Sequence, residues 1–305
     1  MGDLLKDRVA IVTGGGRGIG RQEALALSAE GAGVVVNDYG VTREGDDPSS
    51  GPAHEVVEEI KGLGGQAVAC SESVADFGAA GRIIQTALDF FGRLDILVNN
   101  AGVFRHKLML DHTEDDWDAV IAVHLKGTFN TCRHAIPVMK DRGYGRIINT
   151  TSSQWRNPEG RVSYAAAKGG VVSLTWDLAW ELRNWGITVN AIAPFAHTRG
   201  YDSNVFHHQY LVEAGLERKE RGQHVRPGPE FVPPMVVYLA TDLAAGVNGL
   251  IFRVGAGKIA LYSHPEETRG IYRDFGEEGP WTVGELIDLL PGTVLAGNTR
   301  MPHLP

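Results

Sequence analysis

Tyr164 and Lys168 stand four residues apart in the segment Ser163-Tyr164-Ala165-Ala166-Ala167-Lys168. In a helix both side chains project from one face, about 6 Å apart along the axis. A phenol beside an ammonium is a weak acid placed next to a cation, and the cation favours its ionised form, giving a usable base near neutral pH. Lowering a phenol from a pKa of about 10 to about 7 takes roughly 4 kcal/mol of differential stabilisation. Taken alone, the pair describes any helix with a core tyrosine and a solvated lysine. Its meaning depends on what the rest of the chain places around it.

The elements that must do the placing begin at the apolar run Val9-Ala10-Ile11-Val12, followed by Thr13-Gly14-Gly15-Gly16-Arg17-Gly18-Ile19-Gly20 and a helical pattern over Glu23 to Glu30. A buried strand, a glycine turn and a helix N-terminus converge free N–H groups and a positive dipole end on one point, which is an anion site. A second buried strand, Gly33-Val34-Val35-Val36-Asn37, ends at Asp38, twenty residues beyond Gly18, where a carboxylate accepts hydrogen bonds from an adenosine ribose. A 2′-phosphate about 4 Å from Asp38 would cost on the order of 1 to 4 kcal/mol, so NAD is expected over NADP. Arg17 and Arg43 argue the other way, since either could reach a 2′-phosphate.

A polar loop over Tyr39 to Pro52 reads as a surface insertion. Helical and strand patterns then alternate: a helix through Val56, Val57, Ile60 and Leu63, a strand Gln66 to Cys70, a helix from about Asp76 to Phe91, and a strand Leu94 to Val98. This spacing predicts a parallel sheet covered on both faces, with the loops after the strands along one ligand-binding edge. Asn99-Asn100-Ala101-Gly102 leaves the fourth strand at that edge. Thr113 with Glu114, Asp115 and Asp116 starts a helix running from about Asp115 to Arg142 and carrying Val123-His124-Leu125-Lys126-Gly127. A fifth strand, Arg146 to Thr150, delivers Ser152; the Tyr164 helix runs to about Trp185; a sixth strand, Ile187 to Ile192, closes at Ala193-Pro194. Phe231 to Leu239 and Leu250 to Val254 are the last helix and strand, and Thr282-Val283-Gly284-Glu285 is a capping-box start to a short helix in the tail.

With 305 residues the chain can bury a full core. A net charge of -8 argues against a nucleic-acid partner, whose phosphates need Lys and Arg. Two cysteines, Cys70 and Cys132, give neither a disulfide framework nor metal-ligand spacing, so buried thiols, no metal and a reducing cytoplasmic setting are expected. From the charged start no signal peptide is expected, and no apolar run approaches the roughly 20 residues of a membrane span.

The ordered set Thr13-Gly14-x-x-x-Gly18-x-Gly20, Asn99-Asn100-Ala101-Gly102, a serine after the fifth strand, Tyr164-x-x-x-Lys168 and Asn190-Ala191-Ile192-Ala193-Pro194 resembles the classical short-chain dehydrogenase/reductases over about residues 5 to 258. Within that family the segments Val36-Asn37-Asp38-Tyr39-Gly40, Val123 to Gly127 and Val254-Gly255-Ala256-Gly257 are similar to the dehydrogenase domains of peroxisomal multifunctional β-oxidation enzymes and their bacterial single-domain cousins. The resemblance implies an α/β fold: one doubly wound Rossmann domain over residues 1–258 with a seven-stranded parallel sheet, a substrate lid at about 195–229, and a C-terminal extension over 259–305. It implies a homo-oligomer, dimer or tetramer, built on the Asp115 to Arg142 and Tyr164 to Trp185 helices.

By that resemblance Tyr164 is the general acid/base of hydride transfer between a secondary alcohol or ketone and the nicotinamide, Lys168 lowers its pKa and holds the nicotinamide ribose, and Ser152 holds the substrate oxygen, with Thr151 and Ser153 as alternatives. Gly14, Arg17, Gly18, Ile19, Gly20, Asp38, Ser73, Val74, Asn100, Ala101, Gly102 and Pro194, with Tyr164 and Lys168, are the cofactor-binding positions. The sequence departs from the family at three of its places. Phe195 replaces a glycine, Ser73 replaces an adenine-contacting Asp, and His124 replaces an Asn that binds a relay water. His124 either carries the proton onward from Lys168, as an imidazole titrating near 6.5, or fills the helix interior.

The lid stretch holds Phe206, Tyr210, Leu211 and Leu216 as pocket candidates, with Trp155 and Phe104 as further walls that are equally readable as core. It also holds Arg199, Arg218, Lys219, Arg221 and Arg226, which suit the phosphates of a coenzyme A thioester, although Glu217 and Glu220 make a solvated mixed-charge helix an equal reading. The expected activity is an NAD-dependent oxidoreductase with a 3-hydroxyacyl-CoA as first substrate and a steroid or other alicyclic alcohol as second. The competing class is a dinucleotide-binding regulatory protein without turnover.

Overall fold

Val34, Val35 and Val36 are wholly buried in one short strand, because branched side chains fit a pleat covered on both faces. The computed structural model describes residues 2–157, 160–198, 211–212, 215 and 227–297. Seven strands, Val9–Thr13 (β1), Gly33–Asn37 (β2), Gln66–Cys70 (β3), Ile96–Asn99 (β4), Gly145–Thr150 (β5), Ile187–Pro194 (β6) and Ile251–Gly255 (β7), pair in parallel in the order β3-β2-β1-β4-β5-β6-β7. The anticipated doubly wound sheet is therefore present, with one addition. Lys258–Leu261 (β8) folds back antiparallel on β7 through Gly255-Ala256-Gly257, all three at positive φ.

The helices are Gly18–Ala29 (α1), Gly51–Gly62 (α2), Phe77–Phe91 (α3), Glu114–Ile121 (α4), Gly127–Arg142 (α5), Val162–Leu182 (α6) and Pro233–Ala240 (α7). The period of two along each strand sorts the core. Val12, Val34, Val36, Val98 and Ile148 pack under α1, α2 and α7, whereas Ile11, Val35, Leu97, Ile147 and Val189 pack under α3, α5 and α6. Burying each such side chain contributes about 1.5 to 3 kcal/mol before chain entropy is counted. Cys70 and Cys132 are free thiols in the second of these layers, and burial pushes the Cys132 thiol up to about 12.

Two features position the site. The strand order reverses at β1, since β2 lies to one side and β4 to the other, which opens a crevice at the carboxyl ends of the strands. The register also brings Thr13 level with both Asn37 and Asn99, and Asn99 level with Asn149, so the strands end on one line. The helix expected over Asp115 to Arg142 is not uniform: between α4 and α5 the chain makes a π-helical turn, Ala122–Lys126, whose buried residue is His124. Thr113 and Asp116 form the capping box that starts α4.

Residues Met1–Tyr262 form one compact unit and Ser263–Pro305 a second. Within the second, Thr282 and Glu285 cap the helix Val283–Leu289, and Arg273 lies over the Trp281 ring at 3.9 Å and bonds Glu285 at 2.5 Å. No helix among the described residues is long and apolar enough to cross a membrane.

Candidate active site

A cleft of about 540 Å³ runs along the carboxyl ends of the strands, and Tyr164, Lys168, Ser152 and His124 all line it. Lys168 is 3% exposed and donates from Nζ to the Thr150 carbonyl at 2.5 Å. Burial pushes its ammonium down to about 7. Nζ lies 5.7 Å from the centre of the Tyr164 ring, so the pairing expected from the four-residue spacing is made. The Tyr164 ring is held on two sides: Phe104 stacks on it at 5.4 Å and 28°, and His124 meets it edge-on at 5.1 Å and 87°.

Ser152 is extended and accepts from Gln154 N at 3.3 Å, which leaves its proton for a ligand oxygen. Of its two alternatives, Thr151 is buried and spends its hydroxyl on the Lys168 carbonyl at 2.8 Å, while Ser153 lines the same cleft.

His124 Nε2 lies 2.8 Å from the Val103 carbonyl and 3.2 Å from Val103 N, so the Val103 backbone serves it as donor or as acceptor, while Nδ1 is buried with no partner. Burial first, then the charge of Lys168, drives the imidazole well below 6.5. That environment favours the neutral ring rather than an imidazole titrating near 6.5. The ring fits because Gly102 faces it, and a Cβ there would lie 2.5 Å from His124 Cε1.

The other end of the cleft is built from glycine. Gly14 and Gly18 have φ of 63° and 54° and both line the cleft with Arg17 and Ile19. Gly20 stands behind them, where a Cβ would meet the Gly14 carbonyl at 2.2 Å and Asn100 Nδ2 at 2.4 Å. Helix α1 has no side-chain cap and no acid in its first turn, so its leading N–H groups stay open to an anion. Asp38 accepts from Gly16 N at 2.8 Å and Gly40 N at 2.7 Å, which fixes its carboxylate at the cleft. Ser73, Val74, Asn100, Ala101, Gly102 and Pro194 complete the lining.

These residues fit a dinucleotide. The cradle admits only glycine, its donors converge on one point, and an acid stands at the far strand end.

Thr13, Asn99 and Asn100 stand in the sequence motifs, but their contacts, and the roles of Thr131, Asn149 and Thr175, carried no signal there. Thr13 Oγ1 accepts from Asn100 N and Ala101 N, and Asn100 Nδ2 bonds the Thr13 and Gly14 carbonyls, so β4 and the glycine turn are stitched together. Below the catalytic end a buried chain runs from Thr131 Oγ1 to Asn99 at 2.7 Å, from Asn99 Nδ2 to Asn149 at 2.9 Å and from Asn149 Nδ2 to Thr175 at 3.0 Å. It ties α5, β4, β5 and α6 into one floor. Of the two further walls, Phe104 lines the cleft, as does Phe195, whereas Trp155 is half-buried against Trp176 and Tyr262. Leu211 is buried; Phe206, Tyr210, Leu216, Glu217, Glu220 and the cations Arg199, Arg218, Lys219, Arg221 and Arg226 lie outside the described residues.

A sequence model described as short chain dehydrogenase matches residues 8–205. The chain is 41% identical over 253 residues to peroxisomal multifunctional enzyme type 2 of Mus musculus, covering 83% of this chain and 32% of that one, so it spans about a third of that relative. It is 36% identical over 284 residues to hydroxyacyl-CoA dehydrogenase ChsB1 of Mycobacterium tuberculosis, with 88% of this chain and 84% of the relative covered. A solved short chain dehydrogenase from Mycobacterium avium superposes with a TM-score of 0.79 at 41% identity, over 95% of this chain and 96% of the other.

Proposed function

The chain belongs to the short-chain dehydrogenase family, as an oxidoreductase related to the peroxisomal multifunctional enzymes, and from that premise we propose that it interconverts a secondary alcohol and its ketone with NAD, a 3-hydroxyacyl-CoA being the first substrate class. The observation that carries this reading is the meeting of Tyr164, Lys168 and Ser152 in one cleft with the glycine cradle and Asp38. The family binds NAD or NADP; Asp38, held by two backbone donors, favours the dinucleotide without a 2′-phosphate. When bound, the nicotinamide supplies the hydride chemistry.

The residues do the rest. Ser152 donates to the substrate oxygen and fixes its distance from Tyr164. Tyr164 takes the hydroxyl proton in oxidation and returns it in reduction, with its ring plane held by Phe104. Lys168 would hold the nicotinamide ribose and, charged, favours the phenolate. Nδ1 of His124, buried without a partner, would accept a hydrogen bond from a water that carries the proton away from Lys168, in the tautomer whose Nε2–H donates to the Val103 carbonyl. The dinucleotide-binding domain, expected over residues 1–258 with an extension over 259–305, is taken through β8 to Tyr262, with a lid over about 195–229.

The acyl-CoA assignment draws on the relatives named as hydroxyacyl-CoA dehydrogenase and multifunctional enzyme. Assembly into a dimer or tetramer through α5 and α6 draws on their exposed Phe129 and Trp180; a monomer in sedimentation would contradict it. The test of function is the appearance of reduced nicotinamide across 3-hydroxyacyl-CoAs, steroids and simple alicyclic alcohols. Turnover strongest on the acyl-CoAs supports the proposal. Tight NAD binding with no turnover on any alcohol overturns it in favour of a regulatory role.

A further inference from the structure

The cleft that Asp38 lines carries positive charge that a ribose-reading carboxylate does not need. Arg17, Arg43 and Arg105 all line it, and a free guanidinium beside the ribose would suit a 2′-phosphate. The structure disposes of the three differently. Arg17 extends to the Val41 carbonyl at 3.5 Å. Arg105 stands between Asp46 at 3.6 Å and Asp116 at 3.8 Å. Arg43, in the loop that leaves Asp38, is gripped by its own neighbour: Nε donates to Glu44 Oε1 at 2.7 Å and NH2 reaches the same oxygen at 2.6 Å.

The backbone there is pinned as well, because the Arg43 carbonyl accepts from Phe104 N at 3.0 Å. Against the opposing effect of partial burial, the bond and charge of Arg43, with the charge of Arg105, hold the Glu44 carboxyl below its ordinary range. An exposed ion pair between chain neighbours contributes little to stability, so stability gives no reason for this one.

We infer that Glu44 is a second determinant of cofactor choice, holding the Arg43 guanidinium away from the ribose 2′ position. This rests on the NAD reading and deepens it. Asp38 excludes a 2′-phosphate by standing where it would bind; Glu44 excludes it by occupying the cation that would receive it and adding a second negative charge. Either removed alone leaves the other in force.

The test is the dissociation constant of NADH and of NADPH, read by nicotinamide fluorescence, for the wild type, Glu44→Gln, and Glu44→Gln with Arg43→Ala. Wild type is expected to prefer NADH. Glu44→Gln should bring the two constants about tenfold closer by tightening NADPH, in a salt-sensitive way, and adding Arg43→Ala should cancel the gain. An unchanged ratio in Glu44→Gln, with the wild type still preferring NADH, overturns the role of Glu44 and leaves the NAD reading standing. A gain that survives Arg43→Ala overturns the release of Arg43. A wild type that prefers NADPH overturns the NAD reading, and the role of Glu44 with it.

Discussion

Lys168 and Glu23 are equally hidden, yet they belong to different parts of the fold. Lys168 sits at 3% exposure on the floor of the cleft, and Glu23 at 0% in α1. Burial drives both toward their neutral forms, the lysine down to about 7 and the glutamate up to about 8. The lysine has a carbonyl partner and opens on the cleft; both glutamate oxygens are without a hydrogen bond. The same desolvation therefore has two outcomes. At the cleft it yields a group poised to gain or lose a proton near neutral pH, within reach of a phenol. Under α1 it is a cost with no chemistry attached.

Substitution separates the two. Lys168→Met should lower turnover by about 10²- to 10³-fold, since a positioned proton-transfer group is worth about that much; a loss under fivefold would reduce Lys168 to a structural role. Glu23→Met should leave turnover near wild type and raise stability instead.

The pH dependence of that gain has a definite sign. A carboxyl whose folded pKa of about 8 exceeds its ordinary 4.5 holds its proton better in the folded state, so wild-type stability falls as pH rises between those values. Denaturant melts of Glu23→Met against wild type should show an advantage roughly 3 kcal/mol larger at pH 8 than at pH 5. A constant advantage would mean that Glu23 finds a partner. For Lys168 the sign reverses. Its folded pKa of about 7 lies below the ordinary 10.5, so the folded wild type is penalised below pH 7 and recovers as pH climbs toward 10.5. Any stability gained by Lys168→Met should shrink over that window. The smallest effect is expected from His124→Ala: about a tenfold fall in turnover with the NADH dissociation constant nearly intact. Equal turnover would take His124 out of the proton path.

The buried ends of this comparison show what the sequence discloses. The strands are legible because runs such as Gly33 to Asn37 can only be double-sided sheet, and the Thr113 and Thr282 caps because their partners lie three residues on. Tyr164 and Lys168 are legible only through the ordered motifs around them, since their four-residue spacing alone fits any helix. The π-helical turn at His124 is not, since it differs from an α-helix by one shifted hydrogen bond and has no composition of its own. Nor is β8, an edge strand of four residues held by one turn at positive φ. Phe104 on Tyr164 is a contact across sixty residues of chain, and Glu23 looks from its pattern like one more polar residue on a surface helix.

The central claim is that Tyr164 moves the proton in hydride transfer, and Tyr164→Phe tests it most directly because the ring and its stacking on Phe104 are kept while the hydroxyl is lost. In a single-turnover experiment with the preferred alcohol, the variant should bind NADH as the wild type does and form reduced nicotinamide at least 10³-fold more slowly. Formation within a few-fold of the wild-type rate would contradict the account.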